Sequence, residues 1–78
     1  MNINVLISNA ISEWIEDAKS NRDFALNHNI DEKIVRRILD EKEYRIPVET
    51  LKKICDARQI KLSEFFKLVE DKFPDLKI

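Results

Sequence analysis

Residues 20–39 of this 78-residue chain read SNRDFALNHNIDEKIVRRIL. Apolar residues recur in this stretch with the period of a helix. The spacing predicts one short helix from Asn21 to His28 and a second helix from Glu32 to Glu41. The three residues between them are too few for anything but a tight corner, so two packed helices at an angle decide the fold.

The ends of these two helices carry recognisable signals. Ser20 is a good N-cap, and Asp23 follows it at the spacing of a capping box. Asn29 stands where the chain leaves the first helix, and Asn tolerates the left-handed conformation needed there. Ile30 is predicted to insert into the core, and Asp31 is predicted to cap the second helix.

Apolar periodicity predicts three more helices around this pair. Before it, a helix capped by Asn2 has a wide apolar stripe: Ile3, Leu6, Ile7, Ala10, Ile11, Trp14, Ile15 and Ala18. After a polar connector, Pro47 suits the first position of a fourth helix. That helix has an inner face of Leu51, Ile54, Cys55 and Ala57. A fifth helix is marked by Leu62, Phe65, Phe66, Val69 and Phe73, and Pro74 is expected to end it.

Length and composition predict one all-α domain over residues 1–78, with a core from about 3 to 73 and a frayed tail from 74 to 78. The chain is 44% hydrophobic and 37% charged, which is typical of a folded, soluble domain. It has no glycine, which weighs against a glycine-rich phosphate loop and against an enzyme built on one.

The chain has one cysteine and one histidine, which predicts neither an internal disulfide nor a zinc site. Cys55, His28 and Trp14 are interpreted as buried structural residues rather than as catalytic groups or ligands. The acidic N-terminal stretch does not resemble a signal peptide, and no apolar run is long enough to span a bilayer. We therefore expect a cytoplasmic protein with no cofactor, no small-molecule ligand and no membrane contact.

Charge is unevenly distributed although the net charge is only −1. Residues 1–32 hold two bases and six acids, a net charge of −4, and residues 33–53 hold seven bases and four acids, a net charge of +3. Residues 54–78 hold five of each. The basic middle segment can contact phosphates, although only modestly.

The ordered set of motifs over residues 7–69 resembles the lambda-repressor-like helix–turn–helix family, the Xre or Cro/CI type. Residues 20–25, SNRDFA, are similar to the family's second-helix opening, although Asn21 stands where the family has a phosphate-contacting Gln. Residues 35–41, VRRILDE, are similar to its third helix, and residues 47–54, PVETLKKI, to its fourth. Residues 60–66, IKLSEFF, are similar to the opening of its fifth helix.

The resemblance implies a compact five-helix domain that places its third helix in the major groove of a double-stranded DNA operator. It implies base-edge contacts from Glu32, Lys33, Ile34, Arg36 and Arg37. It implies phosphate contacts from Asn21, Arg22, Lys42, Tyr44 and Arg45. The function expected is a bacterial or phage transcriptional regulator of the repressor type.

The large apolar residues of the fifth helix are too many for one short helix to bury alone. Some of them are expected to pack on the first helix, and the rest to form a homodimer interface. The candidates for this interface are Phe65, Phe66, Val69 and Phe73. Dimers of this fold class bind two half-sites one helical turn apart.

Two other interpretations stay open. The basic residues of the third helix can form a solvated face with weak i, i+4 ion pairs. The same fold can also serve as a protein-interaction module without DNA, such as an antitoxin-like protein or a phage adaptor, and the net charge of −1 favours this alternative.

Overall fold

A computed structural model describes residues 2–41 and 43–74 of the chain. It contains α1 (Ile3–Asp17), α2 (Asn21–Asn27), α3 (Glu32–Asp40), α4 (Val48–Ala57) and α5 (Leu62–Lys72). The described residues form no strand, and the predicted all-α, five-helix architecture is confirmed. Except for Pro74, the predicted tail lies outside the described residues.

Side-chain caps begin the first three helices. Asn2, Ser20 and Asp31 each accept a hydrogen bond from a backbone N–H two or three residues later, at 2.8, 3.0 and 2.8 Å. These bonds satisfy amides that have no partner within the helix. All three predicted caps are confirmed, so the start of α3 is fixed by its own sequence.

Several predicted boundaries shift by one residue. His28, Glu41 and Phe73 were predicted inside helices but are C-caps, since their backbones have left the helical region. Pro47 precedes α4 as its N-cap instead of occupying the first helical position. Ala57 is exposed, so it does not belong to the predicted inner face of α4.

The core draws on all five helices. Helix α3 packs between α1 and α2, while α5 packs against α1 and α4. The buried apolar residues are Leu6, Ala10, Ile11, Ile15, Phe24, Ala25, Val35, Ile38, Leu51, Ile54, Cys55, Phe65 and Val69. Because every helix contributes to this one cluster, the orientation of α3 depends on packing across the whole bundle.

Two similar turns connect the helices without glycine. Asn29 after α2 and Gln59 after α4 both have a left-handed backbone, with φ of 55° and 59°. In each turn the next residue, Ile30 or Ile60, donates its amide to a carbonyl five residues back at 3.0 Å. This is the hydrogen bond of a Schellman motif, and it directs the chain immediately into the following helix.

Candidate nucleic-acid interface

Helix α3 is held in the fold by one apolar side. Val35 is fully buried and Ile38 is 3% exposed, so both anchor the helix in the core. Ile30 and Ile34 are partly buried and pack against the same cluster. The opposite side of α3 is therefore directed away from the core.

That opposite side carries the basic residues. Lys33, Arg36, Arg37 and Asp40 are all exposed. Their spacing of three, four and seven residues places them on one face of a helix. We call these four residues the polar face of α3. It has three cations and one carboxylate on a rigid, well-anchored element.

The residues predicted to contact base edges do not all lie on this face. Lys33, Arg36 and Arg37 lie there together. Glu32 lies at its edge and is partly covered, with a side chain 31% exposed. Ile34 is partly buried and packs against the core, which leaves only part of its side chain for a thymine methyl group.

Both arginines of the polar face have acidic neighbours one turn away. The Arg36 guanidinium donates a hydrogen bond to the Glu32 carboxylate, which forms an ion pair. The Arg37 Nε lies 4.0 Å from the Glu41 carboxylate. The Arg37 guanidinium also lies 6.0 Å from the centre of the Tyr44 ring, within range of a weak cation–π contact.

Residues predicted to contact phosphates occupy two segments. Asn21 is partly buried and Arg22 is exposed in the first turn of α2. Tyr44 is partly buried against the core, while Arg45 beside it is exposed. Lys42 lies outside the described residues. The two exposed arginines are thus available to an anion in the solvent.

A second polar cluster was not predicted from the sequence as a unit. His28 is 7% exposed, and its ring stacks on Phe24 with centroids 3.8 Å apart. Its Nδ1 donates to the Phe24 carbonyl at 2.7 Å, and the Arg58 guanidinium lies 3.4 Å from its Nε2. Arg58 also covers the Trp14 ring at 4.2 Å. A cleft of about 330 Å³ opens beside these side chains.

No local sequence pattern indicates this cluster, because His28 and Arg58 are 30 residues apart. Burial lowers the pKa of His28 from its usual range. The hydrogen bond to the Phe24 carbonyl opposes that shift in pKa, and the positive charge of Arg58 adds to it. The neutral imidazole is therefore the form that the fold favours, which agrees with the predicted structural role.

The predicted dimer interface needs a correction. Phe65 and Val69 are completely buried within the protomer, where Phe65 packs near Trp14 at 5.6 Å between ring centroids. A side chain with no exposed surface cannot contribute apolar area to a second copy. Phe66 and Phe73 are partly buried against the same core and keep some surface for such a contact.

The described part of the chain offers neither a metal site nor a membrane-spanning helix. Residues 2–41 and 43–74 contain no group of three or more acidic, histidine or cysteine side chains placed to hold a metal ion. Within the same ranges, every helix is too short or too polar to cross a lipid bilayer.

Comparison with known proteins gives one informative match. No curated protein and no solved structure matches the chain. The family model of the Cro/C1-type HTH DNA-binding domain matches residues 15–71, which is well over half of the chain and includes α2 to α4 completely. With five helices in its described residues and a capped α2–α3 corner, the chain belongs to the Cro/C1-type helix–turn–helix family of DNA-binding domains.

Proposed function

We propose that this protein is a sequence-specific transcriptional regulator of the repressor type, which inserts α3 into the DNA major groove. The observation that carries the proposal is the polar face of α3, where three cations project from a helix whose other side is fixed by Val35 and Ile38. A helix of this size fits the major groove, and its anchored side keeps its basic side chains in a constant position relative to the DNA.

Each contact has a chemical assignment in this proposal. Lys33, Arg36 and Arg37 donate hydrogen bonds to guanine O6 and N7, and Glu32 accepts from cytosine N4. Ile34 touches a thymine methyl group with its exposed part. Phosphate contacts come from a second group of residues: Asn21, Arg22, Lys42, Tyr44 and Arg45.

Binding by one copy is expected to be weak, because the net charge is −1 and Glu32 lies beside the cations. We therefore propose a cytoplasmic homodimer that occupies a near-palindromic operator and blocks or recruits polymerase. The partly exposed Phe66 and Phe73 supply apolar surface for the dimer. Two linked copies double the number of base contacts without a new kind of interaction.

A fluorescence titration against DNA from the region upstream of the protein's own gene tests whether α3 contacts base edges. The double variant Lys33→Ala, Arg37→Ala removes two cations from the polar face. We expect at least a tenfold loss of affinity, since each good base contact contributes about 1–3 kcal/mol of discrimination.

A matched control removes two exposed lysines elsewhere, Lys53→Ala in α4 and Lys67→Ala in α5. It makes the same change in net charge and leaves α3 intact. Saturable binding that both double variants weaken equally would contradict base reading by α3.

A protein-interaction module is the second candidate, because both arginines of α3 have acidic neighbours that oppose binding to phosphates. It predicts a stoichiometric protein partner in a pull-down and no salt-dependent DNA binding at low ionic strength. Detection of such binding to duplex DNA would favour the regulator instead.

A further inference from the structure

The two ion pairs on α3 are not equivalent. Glu32 occupies the first position of the helix and pairs with Arg36 through a direct hydrogen bond. Glu41 lies just beyond the helix end, and its carboxylate is 4.0 Å from Arg37, at the limit of an ion pair. The Glu32 side chain is 31% exposed, against 55% for Glu41, so solvent screens the first pair less.

The order of the charges and the helix dipole also favour the Glu32–Arg36 pair over the Arg37–Glu41 pair. An acid one turn before a base is the more favourable order for an i, i+4 pair, and Glu32–Arg36 has this order whereas Arg37–Glu41 has the reverse. A carboxylate at the first turn also interacts favourably with the positive end of the helix dipole. Glu32 therefore holds Arg36 more firmly than Glu41 holds Arg37.

We propose that Glu32 is a specificity-determining residue, which holds Arg36 and thereby suppresses binding to DNA of unrelated sequence. A phosphate must compete with the Glu32 carboxylate for Arg36, and it must approach that negative charge. A guanine at the right position offers Arg36 two uncharged acceptors, O6 and N7, so it meets no charge repulsion from the Glu32 carboxylate. The inference rests on the proposed DNA-binding function and concerns discrimination between sequences.

The experiment measures affinity for a fluorescent duplex of unrelated sequence as salt is raised from about 50 mM to about 200 mM. In Glu32→Gln, Arg36 becomes free for a phosphate. We expect binding to tighten about three- to tenfold at the lower salt, and the slope of log K against log salt to steepen by about 0.9.

Asp40→Asn is the matched control, because it removes one carboxylate from the same helix. Asp40 takes part in none of the ion pairs within residues 2–41 and 43–74. We expect a smaller gain in affinity and an unchanged salt slope, since no additional cation is released. The double variant Glu32→Gln, Arg36→Gln should exceed Arg36→Gln in affinity by no more than the small gain of Asp40→Asn, and the two should have the same salt slope.

The outcomes separate the inference from the proposed function. If the original protein binds the duplex and Glu32→Gln leaves affinity and slope unchanged, or matches Asp40→Asn in both, the inference is overturned and the proposed function stands. If none of the proteins binds any duplex at low salt while circular dichroism shows each one folded, both are overturned.

Discussion

His28 combines burial with a charged neighbour, and this sets a pH dependence. Its ring stacks on Phe24 and its Nε2 faces the Arg58 guanidinium, while Asp17, Lys19 and Asp23 line the adjoining cleft. In the unfolded chain the pKa of the imidazole returns to about 6.5. The pKa in the folded protein is lower, so the unfolded chain binds more protons at mildly acidic pH.

We expect stability to be complete above about pH 6.5 and to fall as the pH decreases through the folded-state pKa of His28. Urea unfolding at several pH values between about 5 and about 8 measures the effect. His28→Leu fills the site without titrating and should lose less stability over this range, whereas acids elsewhere affect both proteins alike. Parallel curves for the two proteins would contradict the assignment.

Ser8 gives a second prediction for a single residue. Its side chain is 4% exposed, and its hydroxyl has no hydrogen-bond partner within the described residues. A buried unsatisfied hydroxyl costs about 1–3 kcal/mol, and Ala is the better helix former. We expect Ser8→Ala to raise the unfolding free energy by about 1 kcal/mol, which a thermal melt would detect as a shift of about 4–8 °C.

Ser12→Ala is the control for Ser8, since it makes the same chemical change one turn further along α1. The Ser12 hydroxyl donates to the Ser8 carbonyl at 2.7 Å, so its removal loses a hydrogen bond. We expect Ser12→Ala to raise the unfolding free energy by less than Ser8→Ala does. Equal gains for both variants would attribute the effect to helix propensity alone.

At the level of the helical elements, the turns after α2 and α4 have almost the same backbone conformation but different residues, Asn29 and Gln59, at the left-handed position. Left-handed backbone costs a residue with a β-carbon about 1–2 kcal/mol, and Asn tolerates it better than Gln. We expect Gln59→Gly to stabilise the protein by about 0.5–1 kcal/mol and Asn29→Gly to stabilise it less, both measured by urea unfolding. The reverse order would show that side-chain contacts, not the backbone, decide the preference.

Helices could be predicted because their signals are local. The caps at Ser20 and Asp31 and the left-handed Asn29 each depend on residues fewer than four positions away. The final residue of a helix was less predictable, since His28 keeps a helical side-chain pattern although its backbone has left the helix. The composition of the polar face of α3 and the i, i+4 spacing of its ion pairs were predictable from the period, but the difference between the Arg36–Glu32 and Arg37–Glu41 contacts was not.

For the whole molecule, the proposed dimer predicts a strict requirement for spacing. Half-sites one helical turn apart lie on the same side of the DNA, so inserting about 5 bp between them places them on opposite sides. We expect this insertion to abolish tight binding and an insertion of about 10 bp to restore part of it, as measured by gel shift. Equal binding to all three operators would indicate independent monomers.

The interface of the proposed dimer was the part of the molecule least open to prediction from the sequence. Phe65, Phe66, Val69 and Phe73 have the sequence spacing of one helix face, and periodicity cannot distinguish a surface covered by the same chain from one covered by a second copy. Tertiary packing distinguishes the two cases: α5 packs against α1 and α4, and Phe65 and Val69 have no exposed surface. The contact between His28 and Arg58 could not be predicted from the sequence either, because tertiary structure alone brings these residues together.

The buried Cys55 provides a natural reporter of unfolding. It is fully enclosed where α4 joins the core, and burial raises the pKa of its thiol, so the folded protein should resist thiol reagents. Labelling then requires the bundle to open, and its rate measures how often that happens. Because a ligand that binds only the folded state makes opening rarer, an operator duplex at about 100 times its Kd should slow labelling about 100-fold. DNA binding could thus be measured through the reactivity of one buried sulfur atom, without a fluorophore on the DNA.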